Sequence, residues 1–116
     1  MKINCSSVKT TLAVLGGKWK PLILYHLNNK TMRFSELRKE IDGITQKMLT
    51  QQLRELETDG IIKRKVFPQI PPKVEYSVTI YGKTLQPVLF AMHQWGANHK
   101  IRKETKERFE KISPLN

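Results

Sequence analysis

Residues 35–60, SELRKEIDGITQKMLTQQLRELETDG, decide the fold. Ser35 is a good N-cap for a short helix reaching Ile41, with Leu37 and Ile41 on one face and Asp42-Gly43 as a stop. Thr45 then caps a longer helix that ends at Asp59-Gly60, and its apolar positions Leu49, Leu53 and Leu56 recur at i, i+4 and i+7. The opposite side carries Gln46, Lys47, Thr50, Gln51 and Arg54. Two helices joined by a short glycine turn, the second presenting long polar donors, meet the requirement for a helix-turn-helix that enters a DNA major groove.

Downstream of Gly60 the helical period gives way to alternation. Ile62, Arg64 and Val66 alternate with Lys63, Lys65 and Phe67; beyond Pro68-Gln69-Ile70-Pro71-Pro72, Val74, Tyr76 and Val78 alternate with Lys73, Glu75 and Ser77. This is a β-hairpin whose connection is too long and proline-rich for a two-residue turn, so it projects as a stiff, basic-flanked loop. A helix-turn-helix followed directly by such a hairpin is a winged helix. The fold class is therefore α+β, mainly α, with the helix-turn-helix at about 35–59 and the wing at about 61–78.

Upstream, residues 7–27 read as two short helices parted by Gly16-Gly17. Ser7 caps the first, whose face is Val8, Leu12 and Leu15; the second runs from about Trp19 to Leu27, with Pro21 tolerable in its first turn and Leu22, Ile23, His26 and Leu27 as its buried stripe. Toward the C-terminus, Thr79 is an N-cap and Gly82 marks close packing. Leu85, Val88, Leu89, Met92 and Trp95 make a helical stripe that Pro87 should kink or break, and beyond Gly96 residues 98–112 read as a solvated helix with charge pairs such as Lys103/Glu107. These terminal helices, about 80–112, are read as dimerisation helices of a single domain spanning 1–116.

The 116 residues suit one domain of the common size, roughly 100–150 residues. With 21 Lys+Arg against 10 Asp+Glu, the net charge of +11 points to a polyanionic partner, nucleic acid first, because neutralising phosphates releases counterions. No apolar run approaches the ~18–20 residues of a membrane span and the opening residues lead into no signal peptide, so a cytoplasmic location without membrane contact is expected. A lone Cys5 rules out an intramolecular disulfide and a cysteine-based metal cluster. His26, His93 and His99 are scattered, and there is no HExxH, GxGxxG, P-loop or GxSxG, so neither an enzyme nor a metal or cofactor site is expected.

The runs Gly16-Gly17-Lys18-Trp19-Lys20, Arg33-Phe34-Ser35-Glu36-Leu37, Ile44-Thr45-Gln46-Lys47-Met48-Leu49-Thr50, Leu53-Arg54-Glu55-Leu56-Glu57, Pro71-Pro72-Lys73-Val74-Glu75-Tyr76, Gly82-Lys83-Thr84-Leu85 and Trp95-Gly96, in this order, resemble the HxlR family of bacterial winged-helix transcription regulators. The likeness runs from about residue 5 to residue 97. It implies a cytoplasmic homodimer of MarR-like design, assembled through terminal helices on a pseudo-palindromic operator. Val78-Thr79-Ile80-Tyr81 departs from the commoner Leu-Thr pattern while keeping its capping logic, and the basic tail after Ala97 lies outside the signature.

Within that frame Thr45, Gln46, Lys47, Thr50, Gln51 and Arg54 are the candidates for the DNA-reading face, Gln suiting adenine and Lys or Arg suiting guanine or phosphate. Arg33, Ser35 and Arg38 start the preceding helix, where cations and amides hold phosphate. Lys63, Arg64, Lys65 and Lys73 charge the wing, with ordinary edge-strand protection as the competing account of one or two of them. Glu75 is read as an ion-pair partner that fixes the hairpin. Val8, Leu12, Leu85, Leu89, Met92 and Trp95 are assigned to the dimer seam, with an effector pocket there as an alternative.

Some members of the family, by resemblance, sense quinones, aldehydes or oxidants through a cysteine near the N-terminus. Cys5 matches in position, with a helix start and Lys2 and Lys9 nearby; a small apolar filler at an interface is the competing role. Without a second cysteine it can act only by alkylation, by mixed disulfide, or by bridging to its copy. The sequence is thus read as a sequence-specific, homodimeric regulator, a repressor before an activator, on half-sites ~34–36 Å apart. An architectural protein binding nucleic acid through charge alone, and a winged-helix adaptor for other proteins, are the alternatives; the polar stripe counts against the first and the charge excess against the second.

Overall fold

The computed structural model describes residues 2–112. Asn4 starts the first helix by accepting the Ser6 N–H on Oδ1 at 2.8 Å, and α1 runs Cys5–Leu15. Ser7, expected as the cap, lies inside α1, where its carbonyl accepts the Thr11 hydroxyl. The reason is that asparagine caps as well as serine and stands earlier in the chain. Gly17, at φ 75°, lets the chain turn into α2, Trp19–Leu27.

The buried side of α2 is Ile23, Leu24 and Leu27, together with Lys20. Leu22, expected inside, is exposed, and His26 is only half-buried, its ring meeting that of Tyr25 edge-on. A helix this rich in apolar residues has no clean period from which to read its inner face.

The short strand β1, Met32–Arg33, leads into α3, Phe34–Glu40. Ser35 is therefore a first-turn residue and not the cap: Arg33 holds the cap position, and its N–H donates to Glu36 Oε1 at 2.8 Å. After Gly43, Thr45 caps α4, Gln46–Thr58, by accepting the Met48 N–H at 3.1 Å, as the sequence reading expects. Leu49, Leu53 and Leu56 are each no more than 2% exposed, and with Ile23, Leu24, Leu27 and Leu37 they form the centre of the core.

Strands β2, Ile62–Phe67, and β3, Lys73–Val78, form the expected antiparallel hairpin. β1 adds to the other edge of β3, giving the order β1-β3-β2, with Met32 opposite Tyr76 and Arg33 opposite Glu75. Thr79 ties the end of this sheet to the end of α4: its hydroxyl donates to the Gly60 carbonyl at 2.6 Å and accepts the Gly82 N–H at 2.9 Å. The turn it caps is a short 3-10 segment, Gly82–Leu85, and not an α-helix. Gly82 is closely packed, as expected: a Cβ there would overlap the Ile61 carbonyl and stand 2.8 Å from Val78 Cγ1.

The chain divides into two compact units, one up to Thr84 and one from Leu85 on. The second holds a continuous helix α5, Gln86–Ile112. Pro87 falls in its first turn, where no intrahelical donor is needed, so it starts the helix instead of kinking or breaking it. Gly96 does not divide α5 either, and one helix stands where two were expected. No residue of α5 is buried; along it Trp95 and His99 stack with ring centres 4.8 Å apart.

Candidate nucleic-acid interface

The rotation of α4 is fixed by Leu49, Leu53 and Leu56 in the core, and this turns Gln46, Lys47, Gln51 and Arg54 to solvent. Thr50 differs from its neighbours. It is half-buried and its hydroxyl donates to the Gln46 carbonyl at 2.8 Å, which removes its donor from external contacts. Together with Glu55 these residues line one open groove along the helix. Thr45, also solvent-exposed, has its hydroxyl engaged as the cap.

A second open groove is lined by Phe34, Ser35, Arg38 and Lys39 of α3 and by Gln46 of α4. Ser35 and Arg38 thus stand beside the first residue of α4. Arg33 does not join them there: its side chain belongs to β1, in a cross-strand row with Glu75 and Lys65. Its amide is already engaged by the Glu36 carboxylate.

The four wing cations are not equivalent. Lys73 Nζ lies 2.8 Å from Glu75 Oε1, the pairing expected of Glu75, and its ammonium also sits 4.8 Å from the centre of the Phe67 ring. Lys65 approaches the same ring at 4.9 Å. Arg64, on the other side of the strand, reaches back to Glu57 of α4 at 3.8 Å. Among the described residues Lys63 alone of the four has neither an acidic nor a ring partner.

Tyr76 stands opposite Arg64 in the sheet. Burial raises its hydroxyl above the ordinary 10.0; the Arg64 and Arg54 guanidiniums lower it and the Glu57 carboxylate raises it further. The end of α4 and the wing are thereby joined through charged groups as well as through the core.

Three residues here escape a reading of the sequence: Glu55, Glu57 and Lys20. Lys20 is buried, with Nζ 3.7 Å from Glu55 Oε2. A signal for it existed, since Lys20, Ile23, Leu24 and Leu27 recur at i, i+3, i+4 and i+7, which is the helix's true buried stripe.

Cys5 is exposed in the first turn of α1. Val8 and Leu12 on α1, and Met92 and Trp95 on α5, are also exposed, while Leu85 and Leu89 are half-buried. Among the described residues no cluster of three or more His, Cys, Asp or Glu side chains is suited to a metal ion, and no helix is long and apolar enough to cross a membrane.

A helix-turn-helix with an amide- and cation-bearing second helix, followed by a basic hairpin, defines a winged-helix transcription regulator of the MarR-like kind. The chain belongs to the HxlR-like helix-turn-helix family, whose model matches residues 14–104, further along α5 than the recognisable signature and without Cys5. It is 57% identical over 95 residues to YdeP, an uncharacterized HTH-type transcriptional regulator of Bacillus subtilis (strain 168), covering 82% of this chain and 74% of the relative. The solved structure of the redox regulator HypR in its reduced form matches with a TM-score of 0.81 and 49% identity, over 85% of this chain and 98% of that one. The reduced form of the transcriptional regulator YodB from B. subtilis matches with a TM-score of 0.71 and 38% identity, over 80% and 91%.

Proposed function

We propose that this transcriptional regulator is a homodimeric, sequence-specific repressor acting in the cytoplasm, in which Gln46, Lys47, Gln51 and Arg54 of α4 meet base edges and nearby phosphates. The observation that carries the reading is the outward face of α4, where amide and cationic side chains stand free of the core while every leucine of the helix is buried. Ser35, Arg38 and Thr45 border that face and serve positioning more than reading, while the Thr50 hydroxyl stays on its own helix. In the wing Lys63 contacts phosphate directly. Lys65 and Lys73 act as a fixed pair over Phe67, Arg33 adds charge from the adjacent strand, and Arg64 holds the wing to α4.

Dimerisation through the terminal helices accounts for the apolar residues left exposed, Val8 and Leu12 on α1 and Met92 and Trp95 on α5, with Leu85 and Leu89 alongside the latter. The whole chain then works as one regulatory unit. Cys5, exposed at a helix start, is the candidate point at which an electrophile or oxidant modulates operator binding, and the redox function in the name of the similar HypR supports it.

Fluorescence-anisotropy titration at near-physiological salt, against the DNA upstream of its own gene and a scrambled duplex, tests the central claim. A preference of roughly 10³-fold or more is the expected result. Equal, steeply salt-dependent binding to both would favour an architectural role, and binding to neither would favour a protein-interaction adaptor. Replacing Cys5 with Ser tests the effector: release from DNA by an electrophile that persists in the variant would remove Cys5 from the mechanism.

A further inference from the structure

We propose that Lys20 is a positioning residue for the reading face of α4, holding the Glu55 carboxylate toward α2 at the edge of the groove in which Gln51 and Arg54 meet DNA. The role rests on the DNA-binding reading above and adds to it a residue that itself touches no nucleic acid.

Lys20 is the one buried charged residue among the described residues. Its side chain is 8% exposed and that of Glu55 46%, and the 3.7 Å between them is an ion-pair distance, too long for a good hydrogen bond. An ammonium removed from water is costly unless an opposite charge accompanies it, so Glu55 is what permits a lysine in the apolar stripe of α2.

The dependence also runs the other way. Glu55 and Arg54 both border two grooves, one shared with Gln51 on the outward side of α4, the other shared with Ala13 and Lys20. Glu55 lies four residues after Gln51, next to it on the helix surface, and follows Arg54 directly in the chain. A carboxylate turned to the outward side would accept from the Gln51 amide or the Arg54 guanidinium. It would also stand near bound phosphates, within a Debye length of ~8–10 Å. Glu55 still borders the outward groove, but Lys20 holds its carboxylate oxygen toward α2 and partly neutralises it, which limits the harm an acidic residue does at the edge of a DNA-facing surface.

The test compares Lys20→Met, Glu55→Gln, the double variant and Lys9→Met by anisotropy against the native duplex, with a thermal melt of each. Lys9 is exposed on α1 and removes the same formal charge elsewhere. K20M should fold with an unchanged or higher Tm, because an apolar chain of similar volume replaces a buried ion. Its affinity should fall roughly 3- to 10-fold at low salt, with a smaller loss at high salt. Adding E55Q should restore binding to near the wild-type level. E55Q alone should bind at least as well as wild type while melting lower, since it strands the buried ammonium.

K20M that binds like wild type overturns the proposal. So does a loss that E55Q fails to recover, which would mark a packing role, or a loss equalled by K9M, which would mark bulk charge. If K20M does not fold, E55Q decides alone: weaker binding by that variant overturns the role. Wild-type protein that binds neither duplex overturns the DNA-binding reading and this role with it.

Discussion

In α4 thirteen residues present Leu49, Leu53 and Leu56 on one side, and all three are buried; in α5 twenty-seven residues carry Phe90, Met92, Trp95, Ile101, Phe109 and Ile112, and none is buried. The leucines of α4 fix its rotation, and that rotation determines which polar side chains look outward. None of the apolar residues of α5 is buried, and the proposed dimer would give them cover. A helix with a core of its own displays its polar remainder. A helix with no buried residue leaves its apolar side chains open to a partner.

The largest effect that would break this contrast lies in α4. Leu53→Ala removes a side chain that is 2% exposed and should lower stability by about 2–5 kcal/mol in urea denaturation, independently of protein concentration. A loss under about 1 kcal/mol would mean that the three leucines do not anchor the helix. Trp95→Ala, 68% exposed in the single chain, should instead weaken self-association at least about tenfold, about 1.4 kcal/mol, in sedimentation equilibrium. An unchanged monomer–dimer balance would remove Trp95 from the seam.

One substitution made in both units gives a sharper contrast. Gly82→Ala drives a methyl group into the Ile61 carbonyl and should cost about 1–3 kcal/mol. Gly96→Ala, in a helix interior with nothing within 4 Å of the added carbon, should gain about 0.5–1 kcal/mol by thermal melting. A loss at Gly96 would show that this point of α5 lies against the second copy.

The smallest effect is a dependence on pH in the first unit alone. Tyr76 holds its proton above its ordinary 10.0 in the folded chain, so the unfolded chain releases it first. Stability from this group is full below pH 10 and is lost as pH rises through the folded value. Tyr76→Phe should therefore show a flatter fall of stability above pH 10 than wild type in urea titrations at stepped pH. Parallel curves would mean that Tyr76 does not contribute to the alkaline limb.

Most of the fold was legible because α4 and the hairpin follow one period each over enough residues to declare it. What escaped did so for local reasons. β1 has two residues, too few to alternate, although it supplies the third strand and carries Arg33 into the wing. Asn4 and Ser7 are both competent caps, and chain order decided between them. Pro87 reads as a breaker only if the helix is assumed to begin before it. At the site, the outward residues of α4 were readable from the inward ones. The pairing of Lys20 with Glu55 joins residues far apart in sequence, that of Arg64 with Glu57 spans the turn between a helix and a strand, and both depend on how α2 and the wing dock on α4.

The two lysines over Phe67 bear on how the wing meets an anion. A free lysine carries about 2 kcal/mol of rotamer entropy, much of which is lost when a contact freezes the side chain. Lys65 and Lys73 have already surrendered part of that freedom to the ring and to Glu75, so an arriving phosphate orders them less than it would two waving side chains. Lys63, exposed and without an acidic or ring partner, is held by neither and would be free to reach for whichever phosphate comes first. On the proposed DNA contact, the wing would combine a mobile first touch with a rigid second one, a division of labour between capture and grip.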